Sequence, residues 1–398
     1  TIYQPFTTGD SDTVVSDEMF CGRVAELSSI TNENGPCIVY GGRQLGKSAL
    51  LQRSASLSNV PAERRYALTV TVVNCGSEAA FSQEVSQKLR NVLNLPIRLA
   101  DTVSGLCDEL RTLFQSGKVV KLLLLLDEAD KFLSAIGPEY LPLKPLIDLR
   151  KETRNRFKFV LTGLHNVFRA MRVPNSVLDQ LGDPLCIKPL SPIDALDLIS
   201  RPLEYLGFQI KPALHMAAVL ANTNYYPGII QFFGYKLVES LSTQYSKYYE
   251  AAKQHPPFPL NSKQLGSIIS SGDLNEGIRK RIRWTLELDP RYHMLARCIA
   301  WLYYYHEGDR SGSSLGFTVE EIREVAVNAF CCPLPELKDA GRSEYVALLE
   351  ELVAMGILSY LESHNTYRLR RHTFLSVIGK NLEALEKEVT QLFAEGGE

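Results

Sequence analysis

"IVYGGRQLGKSALLQ", residues Ile38 to Gln52, is a short apolar run, then a glycine loop ending in Lys-Ser, then a leucine-rich stretch. The spacing Gly41, four residues, Gly46-Lys47-Ser48 fits G-x-x-x-x-G-K-[ST], a pattern with a physical mechanism behind it. Glycines free the backbone so that several N–H groups converge on one phosphate with no Cβ in the way. A helix starting at Gly46 adds the positive end of its dipole. Lys47 is placed to reach the β- and γ-phosphates of a nucleotide, and the Ser48 hydroxyl is placed to ligate Mg²⁺. Gly41, Gly42, Arg43, Gln44, Leu45, Gly46, Lys47, Ser48 and Ala49 are therefore the candidate ATP-binding loop.

A second stretch completes the chemistry. "KLLLLLDEADKF" (Lys121 to Phe132) has five consecutive leucines ending in carboxylates, as expected of a parallel strand buried on both faces. Asp127, at the strand's C-terminal end, is placed to hold Mg²⁺ where open α/β sheets bind ligands. Glu128 follows, suited to orient and polarise an attacking water, which favours hydrolysis over binding alone. The plainer role for Asp127, Glu128 and Asp130 is capping of the next helix.

At 398 residues the chain is long enough for two or three domains. It is 45% hydrophobic and 22% charged, which excludes a disordered or collagen-like chain. No window offers the ~18 apolar residues of a membrane span. The opening "TIYQPFTTGDSDTVV" has no initiator Met, basic n-region or apolar h-region, so no signal peptide is expected, and a trimmed start or a fragment fits equally. Eight scattered cysteines lack C-x-x-C or zinc spacing and read as reduced thiols, which favours the cytoplasm; Cys331 and Cys332 are not expected to pair. A net charge of -2 announces no global basic field.

Strands are expected at Tyr66–Cys75, in the leucine run, at Phe157–Gly163 and at Pro184–Leu190, alternating with helices such as 77–95 and 101–116. That alternation predicts α/β class: a parallel, three-layer αβα P-loop NTPase sheet. From Ser191, an N-cap with Pro192 at N1, helices alone are expected as a lid. Lys253–Lys263 is proline-rich and reads as a linker or extended segment. "SEYVALLEELVAMGILSYLESHNTYRLR" reads as helix, strand, turn, strand, the outline of a winged helix. The expected domains are 1–190 (ATPase), 191–289 (helical lid) and 290–398 (winged-helix-like).

The segments "MFCGRVAEL", "GGRQLGKSALL", "LLLLLDEAD", "FVLTGLHNV" and "NYYPGII", in that order over about Phe20 to Glu239, resemble bacterial STAND-type P-loop ATPases and the initiator-like branch of AAA+ ATPases. The resemblance implies that Phe20, Gly22 and Arg23 lie against the nucleotide base and that Pro227 packs on the adenine. It also implies a γ-phosphate sensor at the fourth strand's end, here Thr162, with His165 and Asn166 just beyond. Thr162-Gly163 departs from the Asn or Thr-Arg that members often carry there. Arg154, Arg156, Arg169 and Arg172 lie near the expected arginine-finger edge, with Arg169 and Arg172 ranked first.

Charge argues against DNA binding by the C-terminal part. From Arg291 to Glu398, 11 Lys and Arg face 16 Asp and Glu, a balance of -5. The helix in the recognition position carries Glu344, Glu350 and Glu351, although the wing has Arg368, Arg370 and Arg371. The basic run Arg279, Lys280, Arg281, Arg283 reads mainly as a solvated helix. The expectation is an ATP-hydrolysing conformational or oligomerisation switch with a protein partner or a second copy, in signalling or antiviral defence by resemblance. The alternatives are a DNA-associated initiator or loader and an ATP-stapled scaffold with little turnover.

Overall fold

The leucine run forms a buried inner strand of a five-stranded parallel sheet. In the computed structural model, residues 2–8, 15–170, 173, 176–211, 213–243, 256–306, 315–332, 334–370, 372–379 and 381–394 are described. The strands are β1 (Ile38–Tyr40), β2 (Arg65–Thr71), β3 (Lys121–Asp127), β4 (Phe157–Gly163) and β5 (Leu185–Cys186), in the spatial order β2-β3-β4-β1-β5. Every residue of β4 and all but the first of β3 is buried, as a sheet covered by helices on both faces demands. The helices joining them include α1 (Val24–Thr31), α2 (Lys47–Ser58), α3 (Glu78–Leu93), α4 (Val103–Gln115), α5 (Asp130–Ala135), α6 (Lys144–Glu152) and α7 (His165–Ala170). Ser77 and Thr102 cap α3 and α4 by accepting from the N–H groups of Ala80 and Gly105.

The strand order decides where the chemistry meets. β1, which leads into the glycine loop, does not pair with β3, which carries the carboxylates; β4 lies between them. In register, Val39 and Tyr40 of β1 face Thr162 and Gly163 of β4, and Leu126 of β3 faces Leu161. All three strands point their carboxyl ends the same way, so the loop, Asp127-Glu128 and Thr162 converge at one sheet edge.

The chain divides into two compact units. One comprises Tyr3–Leu206 with Tyr226–Tyr235, and so contains the sheet, α8 (Pro192–Tyr205) and the first turns of α9 (Pro227–Thr243). Ser191 caps α8 as expected, accepting from the Asp194 N–H, with Pro192 at the first position. The other unit comprises Thr1–Ile2, Gly207–Tyr225 and Lys236–Glu398. Within it the expectation of helices alone before the linker fails: β6 (Phe208–Ile210) and β7 (Phe258–Leu260) pair in parallel. Phe208 and Leu260 are buried, but three residues are too few to show an alternation, and the partners lie far apart in sequence.

Later in that unit come the helix Pro290–Tyr305, the helix Val319–Glu324, the helix Arg342–Ala354 and the antiparallel hairpin β8 (Leu358–Leu361) and β9 (Thr366–Leu369). An isolated bridge between Phe317 and Tyr367 adds a third segment to the hairpin, which completes a winged-helix outline. Its Glu351 is not a surface acid: it is buried and accepts the Tyr292 hydroxyl. Glu344 caps its own helix by accepting the Gly341 N–H at 2.7 Å.

Candidate nucleotide-binding site

The loop from Gly41 to Gly46 is built from conformations that side chains resist. Gly41 has φ +152°, and a Cβ there would stand 2.6 Å from the Ile187 carbonyl oxygen. Gly46, at φ +84°, is the N-cap of α2, so the helix proper starts at Lys47. Gln44 is left-handed at φ 64° although it is not glycine. Gly42 and Leu45 are buried, Arg43 is half-buried, and Ser48 and Ala49 sit in the first turn of α2. The loop thus opens onto the helix N-terminus in the arrangement that binds phosphate.

Lys47 folds back over the loop, its ammonium donating to the carbonyls of Gly41 and Gly42 at 2.8 Å each. Burial pushes its pKa down, and the Asp127 carboxylate, followed by Asp130, works against that. The Arg43 Nε, also buried at the loop, has no hydrogen-bond partner among the described residues. Cations held beside glycine amides and resting on backbone carbonyls are the donor set a polyphosphate satisfies.

Asp127 is 4% exposed at the end of β3. Its Oδ1 accepts the Thr162 hydroxyl at 2.5 Å and the Glu128 N–H at 3.0 Å. Thr162 and Asp127, from strands β4 and β3, are therefore in direct contact. Glu128 adopts φ 58°, a left-handed conformation that costs a side-chain-bearing residue roughly 1–2 kcal/mol. Burial raises its pKa, and the neighbouring Asp127 raises it further, against the pull of Arg43 and Lys47. A carboxyl raised in this way holds a proton more readily than an ordinary glutamate.

Arg23 is buried and left-handed at φ 63°, at the N-cap of α1. Its guanidinium donates to the Leu45 carbonyl in the glycine loop at 3.1 Å, to the Lys188 carbonyl beyond β5, and to Glu26 at 2.9 Å. Its side chain is thus tied to the loop's backbone. Gly22, at φ +68°, lies against α8, where a Cβ would stand 2.5 Å from Asp194 Cγ. Phe20 is half-buried just before it. Pro227 opens α9 beside the loop, its Cγ 3.5 Å from where a Gly46 Cβ would be, and the Gly228 N–H donates to the Gln44 carbonyl at 3.1 Å. His165 begins α7. Arg169 lies in the last turn of α7, and Arg172 and Arg371 lie outside the described residues.

Two partners escaped sequence reasoning. Asp130 caps α7 rather than its own helix, accepting the N–H groups of Leu164, Asn166 and Val167 at 2.6, 2.9 and 3.3 Å. Gly163 is matched to it, because a Cβ there would stand 2.4 Å from Asp130 Oδ2. This close approach accounts for glycine after Thr162. The available signal was an acidic residue three positions after Asp127, which by itself reads only as a helix start.

Among the described residues no group of three or more His, Cys, Asp or Glu side chains is gathered for a metal ion. Ser48 and Asp127 fit Mg²⁺ in the way a nucleotide site does, with one or two protein ligands and phosphates supplying the rest. No described helix is long and apolar enough to cross a membrane.

The architecture is that of a P-loop NTPase, a five-stranded parallel sheet with helices packed on it. Among solved structures, the chain is similar to the Walker-type ATPase Paby2304 of Pyrococcus abyssi, with TM-score 0.63 and 17% identity over 94% of this chain and 99% of that one. It is also similar to the ORC2 protein of Aeropyrum pernix, solved in ADPNP-ADP complexes, with TM-score 0.60 and 14% identity over 97% and 98% of the two chains. At such identities the likeness is one of fold. No protein-family model matches the sequence, and no curated protein matches it.

Proposed function

We propose that the chain binds ATP with Mg²⁺ at the loop Gly41–Ser48, hydrolyses it, and uses the nucleotide state as a conformational or oligomerisation switch. The observation that carries this reading is the convergence of Lys47, Asp127, Glu128 and Thr162 at the carboxyl ends of β1, β3 and β4. Lys47 exchanges its two loop carbonyls for the β- and γ-phosphates, and the loop amides and the α2 N-terminus bind the same charge. Ser48 and Asp127 hold Mg²⁺, which neutralises charge on the phosphates. Glu128 orients the attacking water and takes its proton, and Thr162 reports the γ-phosphate through its hydrogen bond to Asp127.

Phe20, Gly22 and Pro227 line the base side of the site in this reading, and Arg23 holds the loop backbone there. His165, with Asn166, stands behind the sensor, and Arg169 and Arg172 are the candidates for a finger supplied to a neighbouring copy. The three parts 1–190, 191–289 and 290–398 act as ATPase, lid and winged-helix-like output. The output is a protein contact or self-association in the reducing cytoplasm, and the resemblance to bacterial STAND proteins extends it to signalling or defence.

A second reading, a DNA-associated initiator or loader, is favoured by the likeness to ORC2 and by Arg368 and Arg370 at the wing. Measuring ATP hydrolysis with and without DNA across a salt series separates the two. A DNA-independent rate and no salt-dependent binding support the switch. Stimulation by DNA, with affinity falling steeply in salt, supports the initiator.

A further inference from the structure

We propose that Asp130 is a positioning residue that couples the hydrolytic turn to α7, making α7 the element that responds first when the γ-phosphate is lost. The inference rests on the ATPase reading above and deepens it. Asp130 lies two residues past Glu128, at the start of α5, yet among the described residues its carboxylate accepts from no group of its own helix. Both oxygens are used across the sheet edge: Oδ2 accepts the Leu164 N–H at 2.6 Å, and Oδ1 accepts the Asn166 and Val167 N–H groups at 2.9 and 3.3 Å.

Three further contacts fasten the same junction. The Ala129 N–H donates to the Thr162 carbonyl at 2.8 Å, the Thr162 hydroxyl donates to Asp127 Oδ1 at 2.5 Å, and the Asn166 amide donates to the Ser134 hydroxyl at 2.9 Å. The turn 127–130 and the turn 162–167 are therefore one hydrogen-bonded body built from two distant stretches. Gly163 lets it close, because a Cβ would stand 2.4 Å from both Asp130 Oδ2 and Val167 Cγ2. Asp130 is also near enough to Lys47 to help hold its ammonium charged against burial.

A shift of Asp127 and Glu128 on loss of the γ-phosphate cannot leave Asp130 behind, because Glu128 and Ala129 are the only residues between. Through Asp130 it must carry the first turn of α7, or break charge-assisted hydrogen bonds to do otherwise. The first N–H groups of any helix lack an intrahelical partner, and at α7 Asp130 accepts those of Leu164, Asn166 and Val167. Arg169 rides on its last turn.

The test is amide hydrogen exchange of the full chain with ADPNP·Mg²⁺ and with ADP·Mg²⁺, alongside steady-state hydrolysis, for the parent, Asp130→Asn and Gly163→Ala. Asp130→Asn keeps the Oδ1 acceptor but replaces Oδ2 with a donor, and Gly163→Ala pushes on the same carboxylate from the other side. In the parent, amides of residues 164–170 should exchange ~10-fold differently in the two nucleotides, the size expected when one or two charge-assisted bonds change. In both variants the difference should fall below about 2-fold and kcat should drop ~10- to 100-fold, with KM for ATP within about 3-fold.

A merely structural Asp130 would instead raise exchange equally in both states, and that result overturns the proposal. So does a parental α7 that is indifferent to the nucleotide while ATP still binds. Absence of ATP binding to the parent would overturn the ATPase reading, and this proposal with it.

Discussion

Replacing Glu128 separates its conformation from its chemistry. Its φ of 58° costs roughly 1–2 kcal/mol, which glycine avoids. Glu128→Gly gives back about 0.5–1 kcal/mol through the greater freedom of the unfolded chain, so it should stabilise the protein by about 0–1.5 kcal/mol. Glu128→Gln keeps the strain and removes only the charge. Because burial and Asp127 raise the Glu128 pKa, its carboxyl contributes stability at low pH that is lost as pH rises through the folded value. Relative to the parent, Glu128→Gln should therefore gain stability as pH rises above the ordinary glutamate pKa through the raised folded value, and match it at lower pH. Both variants should bind ATP within a few-fold of the parent and hydrolyse it ~10²- to 10⁴-fold more slowly. Urea unfolding at two pH values, calorimetric ATP titration and phosphate release read the three quantities. Parental turnover in Glu128→Gln, or destabilisation by either variant, would refute the reasoning.

Other positions give independent checks. Lys158 on β4 is buried with its ammonium on the carbonyls of Ile30 and Asn32 at 2.7 and 2.6 Å, and burial lowers its pKa to about 8. The unfolded chain binds the extra proton between about 8 and the ordinary lysine value, so stability from this group should rise with pH across that window and the slope should vanish in Lys158→Met, as read by urea unfolding. Gly22→Ala should destabilise by ~2 kcal/mol or more, since it combines a left-handed backbone with a clash at Asp194; an unchanged denaturation midpoint would contradict this. All eight cysteines are free, so Cys331, which is exposed, should react with a thiol reagent without prior reduction, and a requirement for reductant would contradict the reduced state.

The parts of the site that were legible in the sequence are those written in neighbouring residues. Gly41 to Ser48 and the leucine run into Asp127 each state their own geometry, because glycine spacing and an unbroken apolar strand are local signals. The bounds of β4, Phe157–Gly163, are legible because the polar run Arg154–Arg156 precedes an apolar stretch that ends at Gly163, and its one buried cation, Lys158, is accommodated by the Ile30 and Asn32 carbonyls. The pairing order was not legible. That β4 lies between β1 and β3 follows from crossovers, and it is what puts Thr162 against Asp127.

The links of Asp130 to Leu164 and of Arg23 to Leu45 and Lys188 were hidden for the same reason, since each joins residues more than twenty positions apart. An acidic residue at a helix start and an arginine beside glycine have local explanations that are complete in themselves. Only the fold shows that their side chains serve other turns. The short β6–β7 pair was lost through length rather than distance alone, since three residues carry no period.

The central claim, that the loop Gly41–Ser48 binds ATP through Lys47, is tested most directly by calorimetric titration of ATP·Mg²⁺ into the full chain and into Lys47→Ala. Lys47 is the side-chain cation of the motif placed to meet the β- and γ-phosphates, and its partners in the structure are the Gly41 and Gly42 carbonyls of the same loop. The account predicts one saturable site in the parent and no measurable binding in Lys47→Ala. Equal affinity in the two proteins would contradict it.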